Sequence, residues 1–231
     1  MLKSYIAFDL ETTGLSPQEH EIIEIGALKV RDGKVVDRFM EFVHPDKPIT
    51  PMITNITHIT NDMVAGARSC PEVIHDFLSF CEDDVLIGHN VMFDYSFVKC
   101  SAVREGLTFE KMGIDTLKIA RKVHKDFESK SLGALCDYYH IENPAAHRAY
   151  YDALATAKLY QTLAHYFEPQ DPKVFQPHQL QYKIKKVQPA TAKQVALLQR
   201  LCSQKKKVPE WNPDTITRSE ASRLIDTLLK A

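Results

Sequence analysis

The sequence predicts an α/β protein, in which a mixed β-sheet carries helices on both faces. Its opening is antiparallel, because three apolar strand-like runs follow one another and Asp32-Gly33 makes a hairpin turn between the last two. Later in the chain, short apolar runs alternate with helical periodicity, which is typical of parallel strands joined by helices. With 231 residues, 44% of them hydrophobic and 26% charged, the chain is long enough for one large domain and a small appendage.

Each predicted element follows from its local pattern. Strands are predicted where β-branched and aromatic residues cluster between turn residues, over residues 5–11, 21–30, 34–43, 85–88 and 113–115. Helices are predicted where apolar residues recur every three or four positions, over residues 72–81, 92–104, 116–124, 132–140 and 150–167, with a short helix near residues 61–62. Gly26 lies inside the second strand, where glycine indicates a bulge or a second backbone close by.

The domain organisation is predicted from where this pattern stops. Residues 1–168 form one domain, and residues 169–188 form a linker, because prolines and polar residues interrupt any periodicity there. Residues 189–231 form a small C-terminal module of two helices, over about residues 192–204 and 218–230. Each helix begins at a capping box, Thr191-x-x-Gln194 and Thr217-x-x-Glu220.

Charge is distributed unevenly along the chain, although the formal net charge is only -1. Residues 183–231 hold 11 Lys+Arg and 4 Asp+Glu, a balance of +7, whereas the other residues hold 18 and 26, a balance of -8. The basic tail is predicted to anchor nucleic-acid phosphates. A plain packed helical hairpin and a protein-docking role are the alternatives. The anchor would use six lysines: Lys183, Lys185, Lys186, Lys205, Lys206 and Lys207.

The five cysteines are scattered, with no C-x-x-C pair, so the sequence indicates free core thiols rather than a disulfide frame or a zinc site. No signal-peptide pattern opens the chain, and no apolar run approaches the ~20 residues of a membrane span. We therefore expect a cytoplasmic protein with no membrane partner.

Two carboxylates close the first strand. Asp9 and Glu11 point the same way because side chains alternate along a strand, while Phe8 and Leu10 point into the core. Like charges ~4 Å apart repel by roughly 4 kcal/mol at an effective dielectric constant of ~20. A divalent cation between them would remove that repulsion. A solvated turn is the alternative that this pair alone leaves open.

Three more residues could complete a metal site. Asp94 lies in the first turn of the helix that follows the fourth strand. His147 precedes the long helix, and Asp152 lies in its first turns, where alanines keep one side of the helix thin. Asp152 could therefore approach a metal ion beside Asp9, and His147 could face water.

These segments resemble the three motifs of the DEDDh 3′-5′ exonuclease family, to which the proofreading epsilon subunits of bacterial DNA polymerase III belong. Asp9 and Glu11 match F-D-x-E-T-T-G, Asp94 matches G-H-N-x-x-F-D, and His147 with Asp152 matches H-x-A-x-x-D-A. The resemblance covers residues 4 to about 167, with the motifs in the family's order and spacing. It implies a ribonuclease-H-like fold and two divalent metal ions, Mg²⁺ or Mn²⁺.

The resemblance also implies a role for each matched residue. Asp9 would bridge both ions, Glu11 and Asp152 would bind the ion on the nucleophile side, and Asp94 would act on the second ion, directly or through water. His147 would take the proton from the attacking water, since an unperturbed histidine titrates at about 6.5. Four residues would border the terminal nucleotide: Thr12, Thr13, Leu15 and Phe93. For Leu15 and Phe93, a role in the core alone is the alternative.

The predicted function is thus metal-dependent 3′-5′ exonuclease activity, a phosphodiester hydrolysis that releases nucleoside 5′-monophosphates from the 3′ ends of single-stranded or frayed DNA. An RNA or short-oligonucleotide exonuclease uses the same chemistry and is the first alternative. A non-catalytic nucleic-acid-binding module would be expected to lack one of the five matched residues, and none is missing. Partners would include a polymerase or a repair protein, with any proofreading done in trans.

Overall fold

A computed structural model describes residues 1–184, 188–205, 208 and 211–230. The chain divides into two compact units, Met1–Lys183 and Ile184–Ala231, and each is described by itself. Within the described ranges, no helix combines the length and the apolar character that crossing a membrane would require.

The first unit is a seven-stranded mixed sheet with helices on both faces, so the predicted fold class is confirmed. Its strands run in the order β4-β3-β2-β1-β5-β6-β7. They are β1 (Tyr5–Thr12), β2 (Ile22–Arg31), β3 (Lys34–His44), β4 (Arg68–Ser69), β5 (Leu86–Gly88), β6 (Met112–Asp115) and β7 (His178–Gln179). Strands β1, β2 and β3 pair antiparallel, whereas β1, β5 and β6 pair in parallel.

The helices of this unit are α1 (Pro51–Thr57), α2 (Asn61–Val64), α3 (Cys70–Cys81), α4 (Val91–Arg104), α5 (Thr116–Val123), α6 (Leu132–Tyr139) and α7 (Ala149–Phe167). Helices α3 and α4 pack on the sheet face that carries Phe8 and Leu10, while α5, α6 and α7 pack on the face that carries Tyr5 and Ala7. Side-chain alternation along β1 therefore sends Asp9 and Glu11 towards the α7 face.

Parts of the first unit differ from the sequence prediction. Helix α1 and strand β4 were not predicted; Thr50 caps α1, and Pro51 fits its first position. Residues assigned to the linker form a 3₁₀ helix (Pro172–Phe175) and the edge strand β7. That assignment was wrong for this stretch, because Phe175 and Leu180 are apolar and bury themselves in the sheet's two core clusters.

The second unit contains the two predicted helices, α8 (Ala192–Gln204) and α9 (Arg218–Lys230), around a small apolar cluster that includes Leu198 and Leu228. Both predicted capping boxes are present. The Thr191 and Gln194 side chains hydrogen-bond each other's backbone N–H groups at 3.2 and 3.0 Å, and Thr217 and Glu220 do the same at 3.2 and 2.9 Å. All five cysteines of the chain are free thiols, as predicted.

Candidate active site

The candidate site lies where β1 runs beyond its parallel neighbour. Strand β5 pairs with Ile6 and Ala7 only, which leaves the later residues of β1 without a strand on that side. Asp94, in the first turn of α4, occupies this gap: its Oδ1 accepts a hydrogen bond from the Leu10 N–H at 3.1 Å. The gap therefore brings a third carboxylate to the end of the strand that carries Asp9 and Glu11.

Helix α7 can approach the carboxyl end of β1 closely because β2 has a glycine at the point of contact. Gly26 pairs with Asp9 in the sheet register, and a Cβ at position 26 would lie 2.0 Å from the Tyr150 nitrogen and 2.2 Å from the Ala149 carbonyl carbon. The backbone of the first turn of α7 thus rests directly on β2. The close backbone approach that Gly26 indicated is confirmed, and it places Asp152 beside the two carboxylates of β1.

Three of the predicted residues form a compact group of metal-ligand atoms. One ligand atom each from Glu11, His147 and Asp152 lie within 4.8 Å of one another. Glu11 and Asp152 are only 9% exposed, whereas His147 is exposed to solvent. Asp94 is 3% exposed and adjoins the group through the hydrogen bond to Leu10. Two carboxylates of the group are thus buried, and its histidine faces solvent.

The loop before α7 orients Asp152 and His147. The Asn143 side-chain amide donates to Asp152 Oδ1 at 2.6 Å, and the His147 backbone N–H donates to Asp152 Oδ2 at 2.9 Å. His147 has a left-handed backbone with φ of 63°, which costs a residue that carries a side chain about 1–2 kcal/mol. Such a conformation persists only where its surroundings hold it, and here the hydrogen bond to Asp152 does so in part.

Three of the four predicted nucleotide-binding residues lie at the end of β1 and in the loop that follows it, and the fourth, Phe93, lies in α4. Thr12 Oγ1 donates to the Gly14 carbonyl at 2.7 Å, and the Thr13 N–H donates to the Glu21 carbonyl at 2.8 Å, so the loop folds back on itself. Leu15 is 84% exposed, which excludes the alternative that it is a core residue. Phe93 is half-buried and packs on Phe97, with ring centroids 5.1 Å apart.

The predicted anchor lysines lie away from these elements in the sequence. Lys183 is exposed and ends the first unit, and Lys205 lies at the C-terminal end of α8 in the second. Lys185, Lys186, Lys206 and Lys207 lie outside the described residues. The anchor accordingly stays a prediction.

Burial and mutual repulsion raise the pKa values of the carboxylates in the site. Burial raises the pKa of Glu11 to about 8, and the charges of Asp152, Glu24 and Asp94 add to that effect. Burial also raises the pKa of Asp94 to about 8, although two backbone hydrogen bonds oppose the change. The pKa of Asp9 lies well above its ordinary value, first because of burial and then because of the charges of Asp94 and Glu11. The ionised form of these carboxylates is therefore unfavourable unless a positive charge lies beside them.

A group of divalent metal ions fits these residues. Carboxylate oxygens are the ligands that hard cations such as Mg²⁺ and Mn²⁺ prefer. The site also contains a buried oxygen without a hydrogen-bond partner among the described residues. It is Asn143 Oδ1, and it belongs to the amide that donates to Asp152. Bound cations with their water ligands would satisfy both the charge and this oxygen.

One residue beside the site has no role in the sequence analysis. Glu24 is 5% exposed and pairs with Glu11 across β1 and β2. Its carboxylate binds Arg148 Nη2 at 2.9 Å, and Arg148 in turn lowers the pKa of Glu11. The partners are 124 residues apart, so no local pattern could have revealed the pair.

Metal-free protein is expected to lose stability as pH rises from about 4.5 to about 8. Glu11 has an ordinary pKa of 4.5 and a folded-state pKa of about 8, so in this window the folded state holds a proton that the unfolded state has released. Metal ions compete with these protons, and Mg²⁺ should therefore stabilise the protein more at about pH 8.5 than at about pH 6.

Thermal unfolding in EDTA, MgCl₂ or MnCl₂ at matched ionic strength measures this difference. A metal concentration of about 100 times Kd adds about 2.7 kcal/mol to the free energy of unfolding, enough to raise Tm by about 5–10 °C. NaCl at the same ionic strength is the control and should leave Tm nearly unchanged. Equal shifts at the two pH values would contradict the assignment of the ions to these carboxylates.

The amino-acid sequence is similar to part of several bacterial DNA polymerases. The chain is 42% identical over 156 residues to a DNA polymerase III PolC-type of Caldanaerobacter subterraneus subsp. tengcongensis, and 40% identical over 160 residues to that of Bacillus subtilis. Each alignment covers 68% of this chain but only 11% of the polymerase, so the chain spans about a tenth of the length of these relatives.

Two solved exonuclease structures have a similar fold. Exonuclease X, in complex with 5′ overhanging duplex DNA, has a TM-score of 0.58 at 29% identity, over 71% of this chain and 92% of that one. The nuclease domain of 3′hExo, a DEDDh family member bound to rAMP, has a TM-score of 0.63 at 18% identity, over 78% and 98% of the two chains, and shows the shared fold.

A protein-family model described as Exonuclease, RNase T, matches residues 6–160, which is more than half of the chain. This range contains all five of the motif residues that the sequence analysis assigned to metal binding and proton transfer. The exonuclease prediction is confirmed at the level of the family, and the chain belongs to the RNase T exonuclease family.

Proposed function

We propose that this exonuclease-family chain hydrolyses DNA from its 3′ end and releases nucleoside 5′-monophosphates, with two divalent metal ions bound. The observation that carries the proposal is the convergence of four carboxylates, three of them buried, and one exposed histidine where β1 lacks a parallel neighbour. The residues concerned are Asp9, Glu11, Asp94, His147 and Asp152.

Four carboxylates would hold the ions. Asp9 would be shared by both, Glu11 and Asp152 would serve the nucleophile side, and Asp94 would serve the other side. When bound, Mg²⁺ or Mn²⁺ ions stabilise negative charge on the attacking and leaving oxygens of a phosphodiester displacement. The raised pKa values of the cluster support this role, because a site that disfavours unbalanced negative charge gains most from cations.

His147 would act as the general base. His147 is exposed, so water can reach its ring, and a ring nitrogen lies within 4.8 Å of the Glu11 and Asp152 ligand atoms. That nitrogen would accept a proton from the attacking water as the water oxygen bonds to phosphorus. The bond from phosphorus to the 3′ oxygen of the preceding nucleotide would break, so the terminal nucleotide leaves with its 5′ phosphate.

The loop after β1 would border that terminal nucleotide. Thr12 and Thr13 are held by the loop's own hydrogen bonds, and Leu15 presents an apolar side chain to solvent beside them. An exposed leucine next to an acidic site can pack against a base or sugar without adding charge. Phe93, one residue before Asp94, would pack from the other side.

DNA is the proposed substrate because of the relatives. The PolC-type relatives are DNA polymerases by name, and Exonuclease X was solved with DNA. We infer that a DNA polymerase or repair protein works with this chain in trans. The basic residues 183–231 would add phosphate contacts that weaken as salt rises.

Oligonucleotides with a 5′ label test the proposal. In Mg²⁺ or Mn²⁺, single-stranded DNA should shorten one nucleotide at a time, and the released products should be nucleoside 5′-monophosphates. EDTA should stop the reaction, because the carboxylates then have no cations to bind. A matched RNA oligonucleotide measures the preference for DNA, and DNA with a 3′-terminal inverted nucleotide is the control that should resist cleavage. Internal cuts, or shortening from the 5′ end, would refute the proposal, and faster hydrolysis of RNA would favour the RNA alternative.

A further inference from the structure

An ion pair between the buried Glu24 and the half-buried Arg148 lies directly beside the candidate site. Glu24 pairs with Glu11 across β1 and β2, and its carboxylate is held by the Arg148 guanidinium. Arg148 Nε donates to both Glu24 oxygens at 3.2 Å, and Nη2 donates to Oε1 at 2.9 Å. Two donors of a planar fork thus grip one carboxylate, a geometry that lysine cannot reproduce.

The same carboxylate also holds the backbone of α7. The N–H of Ala149, the first residue of α7, donates to Glu24 Oε2 at 3.1 Å. Every Glu24 oxygen is therefore occupied by N–H donors, which leaves it poorly suited to ligate a metal ion. On its outer side, the Arg148 guanidinium lies 5.1 Å from the centroid of the Phe42 ring of β3, so strand residues hold it from two directions.

This attachment acts on the residue that precedes it. His147 is bonded to Arg148, and its left-handed backbone sets the direction in which the chain enters α7. The hydrogen bond from the His147 N–H to Asp152 holds the loop to α7 at one point. The hydrogen bonds between Arg148 and Glu24 hold the next residue to β2 and so give the loop a second point of attachment.

We propose that Glu24 and Arg148 form a positioning pair that holds His147 over the carboxylates of the site. The inference rests on the proposed function, in which His147 accepts the proton of the attacking water. The pair touches neither the reacting atoms nor the ions; it acts through His147. Charge alone does not explain the arrangement, because the double hydrogen bond and the contact with Ala149 require one particular shape.

Two conservative substitutions test whether Glu24 and Arg148 position His147, because each changes only one property of the ion pair. Arg148→Lys keeps the charge and loses the fork, and Glu24→Gln keeps the shape and loses the charge. Each is expected to lower kcat about 10–100-fold while KM for an oligonucleotide stays the same, because the substrate contacts are intact. Arg31→Lys, which alters an ion pair with Asp84 at the far end of β2, is the matched control and should leave kcat nearly unchanged.

A double-mutant cycle shows whether the pair acts through His147. In a His147→Ala background, Glu24→Gln is expected to lower kcat less than about 3-fold, since the group that it positions is gone. An equal loss in both backgrounds would overturn the proposal, and so would full activity of Arg148→Lys. Mn²⁺ affinity, measured by calorimetry, should be unchanged in Glu24→Gln; a fall that accounts for the lost activity would assign the pair to the metal ligands instead.

One further measurement separates this proposal from the proposed function. The His147 amide, bonded to Asp152, should exchange its hydrogen at least about 10-fold faster in Glu24→Gln than in the native protein, with or without activity. If the native protein hydrolyses no nucleic acid but this exchange accelerates, the proposed function fails and the structural part of the pair's role stands. Unchanged exchange would overturn the positioning role itself.

Discussion

Replacing Asp9 with Asn is expected to lower kcat at least about 1,000-fold and to raise the stability of the metal-free protein. The catalytic loss, about 4 kcal/mol of activation free energy, follows if Asp9 is shared by both ions as proposed, because that carboxylate disappears. The gain in stability follows because the pKa of Asp9 lies well above its ordinary value, so its charge is unfavourable when no cation balances it. An asparagine of the same size removes that charge without leaving a cavity.

Cleavage assays and thermal unfolding in EDTA measure the two effects together. The Mg²⁺-induced rise in Tm should shrink in Asp9→Asn, because one of the proposed ligands is missing. Asp37→Asn, on the exposed strand β3, is the matched control and should change neither quantity. Undiminished turnover by Asp9→Asn, or by Asp9→Ala with a cooperative unfolding transition, would exclude the mechanism.

Gly26→Ala is expected to damage both stability and activity. The added Cβ would lie 2.0 Å from the Tyr150 nitrogen, and a backbone atom cannot rotate aside as a side chain can. The first turn of α7 must therefore move away by about 1 Å, which should cost about 1–3 kcal/mol of stability. His147 and Asp152 move with that turn, and a shift of ~1 Å in a catalytic group can lower the rate about 100-fold.

Gly133→Ala in α6 provides the control for this experiment. A Cβ there meets no atom within 4 Å, and alanine favours a helix over glycine by up to about 1 kcal/mol. The control should accordingly unfold at the same or a higher temperature and should keep its activity. A Gly26→Ala protein with native Tm and native kcat would show that α7 does not rest on β2 as described.

Sequence patterns predicted the elements of this protein that have a regular periodicity of apolar residues. The long strands and helices were predicted because their periodicity spans several turns or pleats, and the site residues were predicted because each lies in a short motif beside such an element. Strands β4 and β7 have two residues each, too few for any period to appear. The stretch assigned to the linker did contain a signal, since Phe175 and Leu180 are apolar residues among polar ones.

The parts that sequence reasoning missed depend on contacts between distant segments. Glu24 looked like an ordinary strand acid because its partner Arg148 is 124 residues away. Likewise, the motif containing Asp94 gave no sign that its carboxylate would bond to the Leu10 N–H. Such pairings follow from which strands become neighbours, and that is decided by the packing of the whole sheet.

The hydrogen bond between Asp94 and Leu10 also bears on when the site can form during folding. It joins residues 84 positions apart, and Asp152, another of the proposed metal ligands, comes still later in the chain. Contacts of such long sequence separation form late, after the intervening loops have closed. The proposed ligands therefore come together only when most of the sheet has already folded, and a partly folded chain would lack a complete set of them.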